Sequence, residues 1–241
     1  MECIGMFKEH TVVPCGYYVE TSKGYAIRSC DNYVEISHVT KKFGEDTVLH
    51  DIDISMEEGK VYGISGNNGS GKTVLMKCIC GFLPVTTGKI RVGGKLIGTE
   101  TDFPESIGVI IETPGFLTNL PGMRNLEILA GLRGKISKEE IRTAIRKAGL
   151  DPDLKKAVAK YSLGMRQRLG IAQAIMEDPD FLILDEPFNG LDKHGVEDIR
   201  NLILELKKQG KTILLASHNS EDIRILCDKV FEMDGGRIRE L

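Results

Sequence analysis

A chain of 241 residues, 41% of them hydrophobic, has material for one sizeable α/β domain and needs no disulfide staples to bury its core. Its formal net charge of −3, from 32 Lys+Arg against 35 Asp+Glu, provides no bulk electrostatic drive toward nucleic acid or an anionic membrane. No segment approaches the about 18 continuous apolar residues that span a bilayer, and the lack of Trp with 6% aromatics argues against a stacking platform for single-stranded nucleic acid.

Residues 1–32 hold Cys3, Cys15 and Cys30, three of the six cysteines, and no strong helical period. Residues 17–20 and 25–28, joined by the glycine-containing stretch 21–24, read as a small hairpin on an N-terminal extension. The other cysteines are Cys78, Cys80 and Cys227, with no C-x-x-C pair and no charged-then-apolar leader in front. Free thiols in a reducing cytoplasm are therefore expected. From Tyr33 the pattern is regular. Residues 33–39 and 48–56 alternate as half-buried strands, and 88–92, ahead of Gly93 and Gly94, read as another short antiparallel strand, which together predict a small antiparallel sheet.

Residues 60–65 read as a short buried strand and 74–83 as a helix. Between them lies the run Gly66, Asn67, Asn68, Gly69, Ser70, Gly71, Lys72, Thr73, with the G-x-x-x-x-G-K-[ST] spacing that cradles a nucleoside triphosphate. The glycines allow backbone N–H groups to turn inward, and the helix start adds its positive end. Lys72 is placed to neutralise the outer phosphates and the Thr73 hydroxyl to coordinate Mg²⁺. A glycine-rich turn without a ligand is the alternative for a bare loop, and the strand and helix on either side weigh against it.

The middle of the chain, about 117–178, is helical in character. Ser137 and Glu140 form a capping box that starts a helix over 138–148, ended by Gly149 and the Asp151, Pro152 pair. Residues 181–184 are an apolar strand, 196–208 a helix stopped by Gly210, and 212–216 another buried strand. Such alternation predicts a mostly parallel sheet with helices on its faces, an α/β fold.

The strand at 181–184 delivers Asp185 and Glu186 at its C-terminal end, where ligands bind in open α/β sheets. Asp185 suits the Mg²⁺ shell; Glu186, aimed differently, suits polarising an attacking water. A strand end also carries solvated acids for no catalytic reason, so the pair draws its meaning from the phosphate loop. Ser162 sits at a predicted helix start, where a serine is an ordinary N-cap, with Gly164 two residues on.

With the run Tyr161, Ser162, Leu163, Gly164, Met165, Arg166, Gln167, Arg168 the chain resembles the ATP-binding subunits of ABC transporters, whose signature is Leu-Ser-Gly-Gly-Gln followed by Arg-Gln-Arg. Leu163 replaces the first glycine and Met165 the glutamine; Ser162, Gly164 and the helix start survive, and the resemblance implies that the hydroxyl, close backbone approach and helix N-terminus together grip a γ-phosphate. The resemblance covers about residues 33–235 and implies a P-loop NTPase core with a small antiparallel β subdomain, a helical subdomain at about 117–178, and an ATPase domain over 33–241. It further implies that Asn189, Gly190, Leu191 and Asp192 form the loop crossing between two nucleotide sites, that His218 is the switch histidine at the γ-phosphate, and that Phe43 stacks on adenine. A core aromatic in a strand is the alternative for Phe43. Glu112 stands where most of the family has the glutamine that senses Mg²⁺, water and the membrane subunit. Glutamate there, with the Ser-Leu-Gly-Met-Arg-Gln-Arg run, is similar to the branch that exports bacitracin- and lantibiotic-type peptides or gives producers immunity to them.

The resemblance implies an ATP- and Mg²⁺-dependent ATPase at the cytoplasmic face of the cell membrane. Glu186, His218 and Lys72 would be its catalytic groups, and a second copy or homologous subunit and a separate permease its partners. A non-transport ABC ATPase acting on nucleic acid or the ribosome is the alternative. Its usual coiled coil, zinc module or second cassette is absent here and the charge is not basic.

Overall fold

The computed structural model describes residues 16–21, 24–29 and 32–241, and the chain divides between Asn32 and Tyr33 into two units. In the first, β1 (Gly16–Thr21) and β2 (Gly24–Ser29) pair antiparallel. Cys3, Cys15 and Cys30 lie outside the described residues.

The second unit opens with β3 (Val34–Phe43), β4 (Asp46–Met56), β5 (Val61–Ser65) and the helix α1 (Lys72–Ile79). It continues through β6 (Thr87–Val92), β7 (Lys95–Leu96) and β8 (Ile107–Ile110) to three helices, α2 (Gly122–Arg133), α3 (Lys138–Lys147) and α4 (Leu163–Ile175). Then come β9 (Phe181–Asp185), α5 (Lys193–Lys208), β10 (Thr212–Ala216), α6 (Ser220–Leu226), β11 (Lys229–Asp234) and β12 (Arg237–Glu240). Two sheets result. One is antiparallel, in the order β4-β3-β6-β7; the other runs β12-β11-β5-β10-β9-β8, parallel throughout except for the β11–β12 hairpin.

The central strands β5, β9 and β10 of the six-stranded sheet are covered on both faces, so they carry near-continuous apolar runs whose successive residues feed two different cores. Leu182, Leu184, Ile213 and Leu215 pack with the helical middle of the chain, against Leu126, Ile141, Ile145 and Leu169. Ile183, Leu214, Ala216 and Ile64 face the other way, against α1 and the antiparallel sheet through Leu75, Ile79, Ile36 and Val92. Each leucine or isoleucine among them, removed from water, contributes roughly 1.5–3 kcal/mol. Because β5, β9 and β10 are parallel and in register, with Ala216 opposite both Ile64 and Asp185, everything that follows their C-terminal ends emerges along one edge.

Two predicted elements shift. The helix after the phosphate loop ends at Ile79 instead of running on to residue 83: Cys80 caps it, and Gly81 turns left-handed (φ 80°), where the backbone of Asp102 comes too close for a side chain. The apolar run through Phe82 and Leu83 is therefore chain leaving the helix. In the other direction, α5 starts three residues before its apolar period, because Asp192 Oδ1 accepts the Gly195 N–H at 2.8 Å and caps it. The capping box stands as predicted, with Ser137 and Glu140 exchanging hydrogen bonds. Cys78 and Cys80 are both buried, since α1 is wedged between the two sheets. Burial pushes their thiols up to about 11 and about 12, and that of Cys227 to about 12. Among the described residues no helix is long and apolar enough to cross a membrane.

Candidate active site

The loop between β5 and α1 folds so tightly that its glycines are dictated by their surroundings. Gly66 has φ 146°, and a Cβ there would lie 2.2 Å from the carbonyl oxygen of Met233 on β11. Gly71 (φ 108°) caps α1 with no side-chain hydrogen bond, so the first N–H groups of the helix are left for another acceptor. Lys72 is almost buried, and its ammonium donates to the carbonyls of Gly66 at 2.7 Å and Asn67 at 3.0 Å. The Ser70 hydroxyl is buried without a hydrogen-bond partner, whereas Asn67, Asn68 and Gly69 are exposed. An uncapped helix start, a cation held only by carbonyls and an unpartnered hydroxyl form a cradle with donors to spare, which is what a polyphosphate requires.

Thr73, one residue on, donates its hydroxyl to Asp185 Oδ2 at 2.8 Å. The hydroxyls of the cradle end there. The next residue, Val74, has a half-buried side chain that packs against the core shared by α1 and the antiparallel sheet and has no polar atom to offer a phosphate or a metal. Burial raises the Asp185 carboxyl above its usual range, against the Thr73 hydrogen bond and with a further push from the Glu186 charge. A hydroxyl and a desolvated carboxylate, side by side and hard in character, suit Mg²⁺. Glu186 adopts the left-handed backbone (φ 50°), uncommon for a glutamate. The surroundings impose it: its N–H donates to the Ala216 carbonyl at 3.0 Å, and its own carbonyl accepts from Gln167 Nε2 and from the Asn189 N–H, each at 3.2 Å. Its side chain turns to His218, with Oε2 2.7 Å from Nδ1. Asp185 and Glu186 are thus aimed at different partners, Thr73 and His218.

His218 and the phosphate loop open onto a common cleft of about 870 Å³, with Gly66, Asn67, Asn68 and Ser217 on its walls. Phe43 lies at the end of β3 with 46% of its surface exposed, and Lys41 Nζ is 4.8 Å from the ring centre. A core aromatic does not describe it. Glu112 has φ 60°, and its carboxylate accepts from Lys77 Nζ at 2.7 Å. Lys77 lies one helical turn beyond Thr73 and balances the negative charge that Glu112 brings.

Ser162 is the N-cap of α4, its hydroxyl accepting the Met165 N–H at 3.2 Å. Gly164 is held by the chain's own packing, since a Cβ there would meet the Gly190 carbonyl at 2.7 Å. Leu163 is 60% exposed and covers Gly190, where a Cβ would fall 2.5 Å from Leu163 Cγ. The start of α4 and the loop after the carboxylates are therefore packed together. The contributions of Gln167 and Lys77 escaped sequence reasoning. Lys77 was visible only as the residue four beyond Thr73, and Gln167 as part of the Arg-Gln-Arg run.

A phosphate loop joined to a strand-end carboxylate pair on a parallel sheet defines a P-loop NTPase. The family described as ABC transporter matches residues 49–189, over half of the chain. An uncharacterized ABC transporter ATP-binding protein of Bacillus subtilis, YybJ, is 42% identical over 205 residues, covering 85% of this chain and 94% of that protein. The bacitracin transport ATP-binding protein BcrA of Enterococcus faecalis is 42% identical over 215 residues, 86% of this chain and 68% of its own. A solved ATP-binding subunit of an ABC transporter superposes with a TM-score of 0.77 at 27% identity, covering 87% of this chain and 90% of that one. The chain belongs to the ABC transporter family, as an ATP-binding subunit with ATPase activity.

Proposed function

We propose that this subunit powers the export of a bacitracin- or lantibiotic-type peptide through a separate membrane permease, working at the cytoplasmic face of the membrane. The observation that carries the reading is the 42% identity to a protein named for bacitracin transport, joined to Glu112 and to Leu163 and Met165 in the signature run.

In this reading Lys72 neutralises the outer phosphates of ATP, and the loop from Gly66 to Gly71 wraps them with backbone N–H groups. Thr73 and Asp185 would hold Mg²⁺, with the Glu112 carboxylate near enough for its charge to act on Asp185 and itself paired with Lys77. When bound, the ion neutralises phosphate charge as a Lewis acid. Glu186 takes a proton from the attacking water, and His218 braces its carboxylate. Phe43 supplies the adenine platform, supported by its exposed ring. Ser162 and Gly164 of a second copy, or of a homologous subunit, complete the wall around the γ-phosphate.

Deleting the gene in its host tests the export reading. The inhibitory concentration of bacitracin or of a lantibiotic should fall severalfold and be restored by the wild-type gene but not by Glu186→Gln. Unchanged sensitivity to both peptide classes contradicts it.

A further inference from the structure

One hydroxyl pins the chain on both sides of His218. Ser217 Oγ accepts the Asn219 N–H at 3.1 Å and donates to Asp222 Oδ2, also at 3.1 Å. Asp222 is only 1% exposed. Its other oxygen, Oδ1, accepts from Arg200 Nε at 2.8 Å and Nη2 at 2.6 Å, and Arg200 reaches on to Glu221 Oε2 at 3.0 Å. A carboxylate buried this deeply persists only when a cation and hydrogen bonds satisfy it, and here both oxygens are engaged. Arg200 belongs to α5, the helix capped by Asp192 at the end of the loop that follows Glu186. One helix therefore runs from that loop to the anchor of the His218 segment.

We propose that Ser217 and Asp222, anchored by Arg200, are positioning residues for hydrolysis: they fix the His218 loop so that Nδ1 stays against Glu186. They act through His218 and not on the nucleotide, and the proposal rests on Glu186 and His218 forming the hydrolytic pair. Removing Asp222 would leave Arg200 with Glu221 alone and break the ion pair along with the tie, so the informative change is Ser217→Ala, which leaves the Arg200–Asp222 pair whole and cuts only the tie to the loop.

The full-length protein is assayed for steady-state ATP hydrolysis and thermal unfolding. Ser217→Ala should lower kcat about tenfold with KM for ATP within about twofold, because an imprecisely held group costs rate and not binding. Ser217→Thr, which keeps the hydroxyl, should recover most of that loss. A kcat within about twofold of wild type in Ser217→Ala, a rise in KM that accompanies the loss, or no recovery in Ser217→Thr overturns the proposal. His218→Ala, assayed alongside, separates the two levels: if it retains wild-type turnover the hydrolytic pair itself is wrong, whereas an impaired His218→Ala beside an unimpaired Ser217→Ala removes the positioning role alone.

Discussion

His218 Nδ1 stands 2.7 Å from Glu186 Oε2, joining residues that lie at the ends of neighbouring parallel strands. Each half of the contact is prepared independently: Glu186 by a left-handed backbone with both its peptide groups bonded, His218 by a loop that leaves its ring 71% exposed. A left-handed backbone at a glutamate is costly, and such positions cluster at functional sites, in keeping with the hydrolytic role proposed for Glu186. His218→Ala should lower kcat about 100-fold while ATP binding changes little, since a brace on the base acts in the transition state. Stopped hydrolysis with equal loss of ATP binding would instead make His218 a binding group.

Asp185 carries a folding cost that fits the metal role proposed for it. Burial raises its carboxyl above the unfolded value, so the folded state resists its ionisation. The sign follows: the penalty is absent at low pH, where both states are protonated, and grows as pH rises through the unfolded and then the folded pKa. Asp185→Asn should therefore raise the melting temperature of nucleotide-free protein near pH 8, and the gain should shrink as the pH falls toward about 4. The same variant should lose Mg²⁺-dependent hydrolysis. Thermal melts across pH, with the ATPase assay, check both halves.

Cys78 and Cys80 report on packing around α1, and Cys227 on the end of α6. With thiols pushed up to about 11 at Cys78 and about 12 at Cys80 and Cys227, little thiolate forms near pH 8. Iodoacetamide should leave these three unlabelled in native protein and label them fully in denaturant, as peptide mapping by mass spectrometry would show. Rapid native labelling of Cys78 or Cys80 would mean that α1 is not buried between the sheets.

The capping box at α3 makes a local stability test. Ser137→Ala removes the acceptor for the Glu140 N–H and should cost about 1 kcal/mol, a fall of about 2–4 °C in melting temperature for a domain of this size. ATP hydrolysis should be unchanged, because α3 contributes no residue to the site described.

How far the sequence could be read depended on whether a signal was local. The phosphate loop, the apolar strands at 181–184 and 212–216 and the Ser137–Glu140 box are written in consecutive residues, and the corresponding elements form where that pattern puts them. The shortened α1 was hidden because Gly81 is constrained by Asp102, a distant backbone neighbour. The early start of α5 was hidden because Asp192 reads as the end of a loop and serves as a cap. The C-terminal hairpin of β11 and β12 went unread although Gly235 and Gly236 mark its turn. Asp185, Glu186 and His218 were visible as residues, but the Thr73–Asp185 and His218–Glu186 contacts exist only once parallel strands bring distant segments together.

The central claim is that Glu186 drives hydrolysis in a site that a second copy completes. Glu186→Gln, purified and incubated with ATP and Mg²⁺, should lose turnover and shift on size-exclusion chromatography from monomer to an ATP-bound dimer. Hydrolysis at near wild-type rate in that variant, or a monomer that binds ATP and never pairs, would contradict it.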